Sequence, residues 1–248
     1  MRKATIALSV LLALAAIAGA VGWWRHRAAR PIELVLYFHP FVGPEPLTLN
    51  EARYPNPGGE GRFKVRDVQL FLSNIKLTGD SGAYIEPDSY HLVRFDGTKP
   101  AFAIVLHGVS RRDYRRIEFG IGVDPAANKS LTQRGDLDPN GRMAWTWEVG
   151  YKFVLLEGTL ERDGTSIPLV YHVGFDESYT PVSMALHAEA VKGRAARLDF
   201  RVDILRLFQG SSTIDMVALP SVKFDRTDAA LLARNFAGVI ALMRAEAP

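Results

Sequence analysis

From Pro31 onward, short apolar or alternating runs are punctuated by Gly, Pro, Asn and Asp. The clearest is Leu198, Phe200, Val202 and Ile204 interleaved with Asp199, Arg201 and Asp203, the period-two pattern of a half-buried strand. The same reading predicts strands over Ile32–His39, Val68–Leu77, His91–Phe95, Phe102–Leu106 and Arg116–Val123. It continues with Tyr151–Leu160, Ser166–Val173, Val182–Ala190 and Arg197–Ile204. Asp163-Gly164 supplies the positive φ angles of a hairpin turn between two of them. Many short strands with frequent turn signals predict a mainly β protein, a single-domain antiparallel β-sandwich rather than βαβ units.

Three stretches break this pattern. Pro40 to Gly61, with Pro44, Pro46, Pro55, Pro57 and Gly58-Gly59, reads as extended loops. Asp225 to Arg244 reads as a C-terminal helix capped by Thr227, with Leu231, Leu232, Phe236, Val239, Ile240 and Met243 at helical spacing. Ala4 to Trp24 carries no charge and follows Arg2-Lys3, which is about the ~20 residues a helix needs to cross a bilayer. Trp23-Trp24 before Arg25 and Arg27 suits an interfacial anchor, whereas Ala18-Gly19-Ala20 suits a signal cleavage site. Residues 1–30 are therefore expected to be a membrane anchor or signal peptide, and residues 31–248 one exported, periplasmic β domain.

Charge and composition narrow the chemistry. The net charge is +3, but Arg2, Lys3, Arg25, Arg27 and Arg30 belong to the leader, so the β domain is slightly acidic. The basic balance is thus no argument for nucleic acid. With no Cys, disulfides, thiolate metal sites and a Cys nucleophile are all excluded. Gly-x-Ser-x-Gly and His-Glu-x-x-His are also missing, so the chain does not read as an enzyme; a hydrolase is the weaker alternative. Gly120-x-Gly122 is no phosphate loop, because no helix pattern follows it.

The segment from Phe119 to Tyr151 stands apart. Asp124, Asn128, Asp136 and Asp138 are hard oxygen donors that could hold calcium, although without EF-hand spacing. Asp124 and Asp138 also precede prolines and read as turn residues bonding their own backbone. Trp145 and Trp147 would share one face of an extended segment. They either plug one end of the sandwich or form a redox and partner-docking surface. His39, His107 and His172 fall at or near strand ends, where they could converge on a borderline metal such as copper or zinc. His26, His91 and His187 receive no role.

At these residues the chain resembles the MbnP-like family, associated with methanobactin and bacterial copper handling. Leu70-Phe71-Leu72-Ser73-Asn74-Ile75-Lys76-Leu77 resembles the family's Y-x-S-N-I-x-L strand. Phe119-Gly120-Ile121-Gly122-Val123-Asp124 with Asn128 resembles its F-x-I-G-V-D…N segment. Met143 to Tyr151, continuing to Glu157-Gly158, resembles M-F-W-x-W-x-x-G-Y…L-E-G, and Tyr171-His172-Val173-Gly174 resembles F-x-H-x-G. The resemblance implies a periplasmic copper-binding protein. It also implies a partner or oxidant similar to MauG, a di-haem c-type cytochrome peroxidase that converts tryptophan to kynurenine. In related copper-repressed surface proteins two histidines and a kynurenine, two residues before one of them, hold the metal. Here Tyr37-Phe38-His39 occupies that W-x-H position and Ala144 replaces the usual Phe, departures that touch the kynurenine ligand more than the fold. A metal-free scaffold for a redox partner is the alternative reading.

Overall fold

The computed structural model describes residues 31–130, 135–145, 149–187, 191 and 196–243. The leader and Trp147 fall outside them. Among the described residues the strands follow in order: β1 (Ile32–Val42), β2 (Glu45–Pro46), β3 (Tyr54–Pro55), β4 (Arg62–Gly79) and β5 (Gly82–Ile85). Then come β6 (Tyr90–Arg94), β7 (Phe102–Val109), β8 (Arg116–Ile121), β9 (Lys152–Arg162) and β10 (Thr165–Gly174). β11 (Thr180–Ala185), β12 (Ala196–Asp203), β13 (Ser221–Val222) and β14 (Ile240–Leu242) complete the set. Among the described residues the α-helices are α1 (Pro125–Asn128) and α2 (Arg226–Ala233).

The strands form two sheets, as the alternating pattern predicts. A five-stranded sheet runs β14-β12-β1-β2, with β7 also on β1. A nine-stranded sheet runs β11-β8-β4-β9-β10-β13, with β3, β5 and β6 on β4. Not every pairing is antiparallel: β1 and β12 run parallel from Leu34↔Ala196 to Phe41↔Asp203. Leu34, Leu36 and Phe38 of one sheet meet Leu70, Leu72, Val154 and Leu156 of the other in a common core. Phe38 stacks on Phe200 at 5.0 Å and meets Phe119 edge-on at 6.4 Å, tying the sheets together.

A second core lies on the far face of the larger sheet. Phe71, Phe153 and Leu155 point outward there and are covered by Leu137, Met143 and Tyr151. The segment after β8 thus acts as a lid over Phe71, Phe153 and Leu155, which is why β4 and β9 are apolar on both sides.

The chain end departs from the sequence reading. Helix α2 stops at Ala233, and Asp225 rather than Thr227 caps it, accepting from the Thr227 and Asp228 N–H groups at 2.8 and 2.9 Å. Beyond it, buried Asn235 donates to the carbonyls of Leu207 and Ser212, and Val239 and Ile240 turn into the core with β14 against β12. The apolar spacing was real; its second half, from Phe236 onward, is carried by a 3-10 turn and a strand. Strand β11 likewise ends at Ala185, short of Ala190. No helix among the described residues is long and apolar enough to cross a membrane, and the expected leader lies outside them.

Candidate functional site

The lid is fastened by the residues of the Gly-x-Gly-x-Asp stretch. A Cβ on Gly120 would stand 2.1 Å from the Tyr179 hydroxyl, and Gly122, at φ +111°, leaves room for the Phe153 ring. Asp124 opens α1 by accepting from the Ala126 and Ala127 N–H groups. Its other oxygen accepts from Tyr90 Oη at 2.6 Å and Asn74 Nδ2 at 3.2 Å. Burial pushes this carboxyl's pKa up, but the donated hydrogen bonds outweigh burial and hold it below the ordinary value. Asn74 itself takes φ +58° at the bulge in β4, a conformation Asn tolerates better than most residues.

Asn128 is buried and clamps the lid's return. It donates to the Val149 carbonyl at 3.0 Å and Asp176 Oδ1 at 2.9 Å, and accepts from the Tyr151 N–H at 2.8 Å. Asp136 accepts from the Leu92 N–H and Asp138 from the Asn140 N–H. All four candidate calcium donors therefore serve local turns, caps and clamps. No group of three or more His, Asp or Glu among the described residues is arranged to hold a metal ion. The geometry gives the calcium reading no support.

Nor do the three histidines converge. His39 and His107 are both on the outer side of the five-stranded sheet, where they pair with Asp199 at 2.7 Å and Glu33 at 3.1 Å. Glu33 and His39 are six residues apart on β1, so roughly 20 Å separates them. His172 alternates with core residues Tyr171 and Val173 on β10, so it faces outward from the other sheet. Strand alternation sends His39 and His172 to opposite outer faces of the sandwich. Spacing along the chain carries no such information.

What does converge are residues of three separate motifs. His172 Nε2 bonds Glu157 Oε1 at 3.0 Å across the β9–β10 pair, and the Trp145 ring meets the imidazole edge to face. Trp145 is held by its N–H to the Gly150 carbonyl at 2.8 Å and by the Ala144↔Tyr151 bridge. Gly174 lies beneath the indole, where a Cβ would stand 3.2 Å from the ring and 2.5 Å from the Tyr151 carbonyl. Phe175 follows at φ +72°, ψ +143°, a region that costs a non-glycine residue about 1–3 kcal/mol. Its ring is buried against Trp145 at 5.8 Å, and Phe224 stacks on the indole at 4.6 Å.

Electrostatically, Glu157 is the centre. Arg66 reaches it at 2.6 Å and Arg142 at 2.8 Å, while Arg142 also bonds Asp67. Burial pushes the Glu157 carboxyl up, but its bonds from Arg66, His172 and Arg142 pull it down to about 2. Burial pushes the His172 pKa down, Glu157 opposes this, and the nearby Lys152 and Lys223 lower it further. The result is an imidazole biased towards its neutral form and aimed by a fixed carboxylate, beside an indole. Of this set the sequence reading singled out Trp145 and His172 and quoted Glu157 only within a motif. Phe175, Phe224 and Arg142 carried no local signal.

The MbnP family model matches residues 31–224. Among solved structures, MbnP from Methylosinus trichosporium superposes with a TM-score of 0.54 at 17% identity, covering 78% of this chain and 81% of that one. No curated protein sequence matches the chain.

Proposed function

The chain belongs to the MbnP family, and on that premise we propose that it is a periplasmic copper-binding protein whose ligand centre is His172. One observation carries this reading: Trp145, Glu157 and His172, from three motifs far apart in sequence, meet at one point on the outer face of the larger sheet. Copper is held by neutral imidazole, and the ring's second nitrogen must be fixed by a partner for the first to be aimed. Glu157 does that for Nε2, leaving Nδ1 without a hydrogen bond to any described residue. The residues present fit the metal this far: one oriented imidazole with the Trp145 ring beside it. One imidazole is an incomplete coordination sphere, which suits transfer of copper more than storage.

The partner remains the di-haem c-type peroxidase similar to MauG that the resemblance implies, with Trp145 as the ring it would reach. His39 is the rival ligand, since its Nε2 is aimed by Asp199 and Tyr37 precedes it by two residues. Against it, the ring beside His39 is Tyr37 at 6.4 Å, whereas the ring beside His172 is Trp145. Competitive copper(I) titration of the whole chain beside His172→Ala and His39→Ala tests the assignment. Loss of affinity in His172→Ala alone supports it; loss in His39→Ala alone overturns it.

A further inference from the structure

Arg142 never touches the His172 imidazole, yet it acts on it at one remove. Asp67 and Glu157 are direct neighbours across the β4–β9 pair, where two carboxylates facing one another repel. Both are largely covered, with 20% and 12% of their side chains exposed, so solvent does little to relieve the conflict. Arg142 lies between them, one arm of its guanidinium on Asp67 Oδ2 and the other on Glu157 Oε2 at 2.8 Å. Arg66 bonds the same Oε2 at 2.6 Å. With Oε2 held by two guanidiniums, the carboxylate is fixed in direction and its Oε1 rests on His172 Nε2 at 3.0 Å. A carboxylate only accepts, so Nε2 carries the proton of that bond and Nδ1 keeps its lone pair.

The backbone that presents Arg142 is equally determined. Its carbonyl accepts from Lys152 Nζ at 2.8 Å, and the neighbouring Met143 carbonyl accepts from the Lys152 N–H at 2.7 Å. Met143 is buried in the second core, and Trp145 on the same stretch meets the imidazole directly. One piece of the lid thus reaches His172 twice, once through a ring and once through Glu157. Arg66, by contrast, stands on the sheet itself.

We propose that Arg142 is a positioning residue: by bridging Asp67 and Glu157 it maintains the Nε2–H···Oε1 bond that aims the His172 ring, and so ties that aim to the seating of the lid. That the aimed nitrogen takes copper rests on the reading above; the positioning itself needs no metal.

The test uses the full, metal-free chain carrying isotope-labelled histidine at about pH 8, where imidazole is neutral. A hydrogen-bonded Nε2–H exchanges slowly with water and gives a resolved proton–nitrogen cross-peak, assigned by its absence in His172→Gln. Arg142→Met should speed exchange of this proton by about tenfold or erase the peak, whereas Arg66→Met, which leaves the bridge in place, should keep it. Asp136→Ala is the control for the lid alone, because it removes the tie to the Leu92 N–H and touches none of these groups. It should lower the melting temperature and keep the peak. A parent-like peak in Arg142→Met, or a peak lost in Arg66→Met alone, overturns the proposal. So does a peak lost equally in Asp136→Ala, which would make Arg142 a general support of the lid. With copper(I), Arg142→Met should bind about tenfold more weakly; undiminished binding, where His172→Ala abolishes it, also overturns the proposal. If His172→Ala binds copper as the parent does, the copper reading fails, and the metal-free peak alone decides the role of Arg142.

Discussion

The Trp145 and His172 rings meet edge to face, with centroids 6.4 Å apart and planes inclined at 78°. One ring comes from the lid, the other from near the end of β10, and Gly174 is small because the indole lies over it. Trp145 is therefore part structure and part surface. We expect Trp145→Ala to cost about 2 kcal/mol, below the 3–5 of a fully buried aromatic. Chemical denaturation measures it; a loss at or above that range would make the residue plain core. Trp147 lies outside the described residues.

Acid should act through Glu157 and His172 in separate windows. Glu157 has its pKa drawn from 4.5 to about 2 in the folded chain, so its stabilisation is complete above pH 4.5 and lost as pH falls towards 2. The shift corresponds to about 3 kcal/mol. His172 has a lowered pKa, so the unfolded chain takes up a proton first and stability declines as pH drops below 6.5. Denaturation across pH should show both phases. Glu157→Gln should shrink the lower one, to which Asp124, Asp176 and Asp199 also contribute, and a variant that keeps its full amplitude would refute this assignment.

The lid should fail at Asn128 without any role for calcium. Asn128→Ala leaves the Tyr151 N–H without its acceptor and two oxygens without their donor, for about 2–4 kcal/mol. Gly150→Ala should do comparable damage, since a Cβ there would stand 2.1 Å from Asn128 Oδ1. Melting temperature should be the same with calcium and with chelator. A chelator-dependent shift would restore the calcium reading.

Much of this fold is legible because strand alternation is local. Leu34, Leu36 and Phe38 declare their inner face, as do Leu198, Phe200 and Val202, and two sheets follow. The lid hides its role, because apolar residues on both faces of β4 and β9 look alike whether a helix, a sheet or a loop covers them. The site is less legible still. His39 and His172 look equivalent in sequence, and only the sheet each belongs to separates them. Glu157 and Trp145 reach His172 through strand register and a chain reversal, and Phe224 arrives from far along the chain. None of these meetings leaves a trace in local pattern.

Location is a separate question, resting on the uncharged Ala4–Trp24 run behind Arg2-Lys3. Alkaline phosphatase fused at the C-terminus should be active, and a protein beginning at Val21 would mean a cleaved signal. An inactive fusion would put the domain in the cytoplasm and remove the periplasmic reading.

The most direct test of the copper assignment is anomalous diffraction at the copper edge from crystals of the copper-loaded protein. The account predicts a peak against Nδ1 of His172 beside the Trp145 ring, with Glu157 still on Nε2. A peak at His39 beside Asp199, with none at His172, would contradict it.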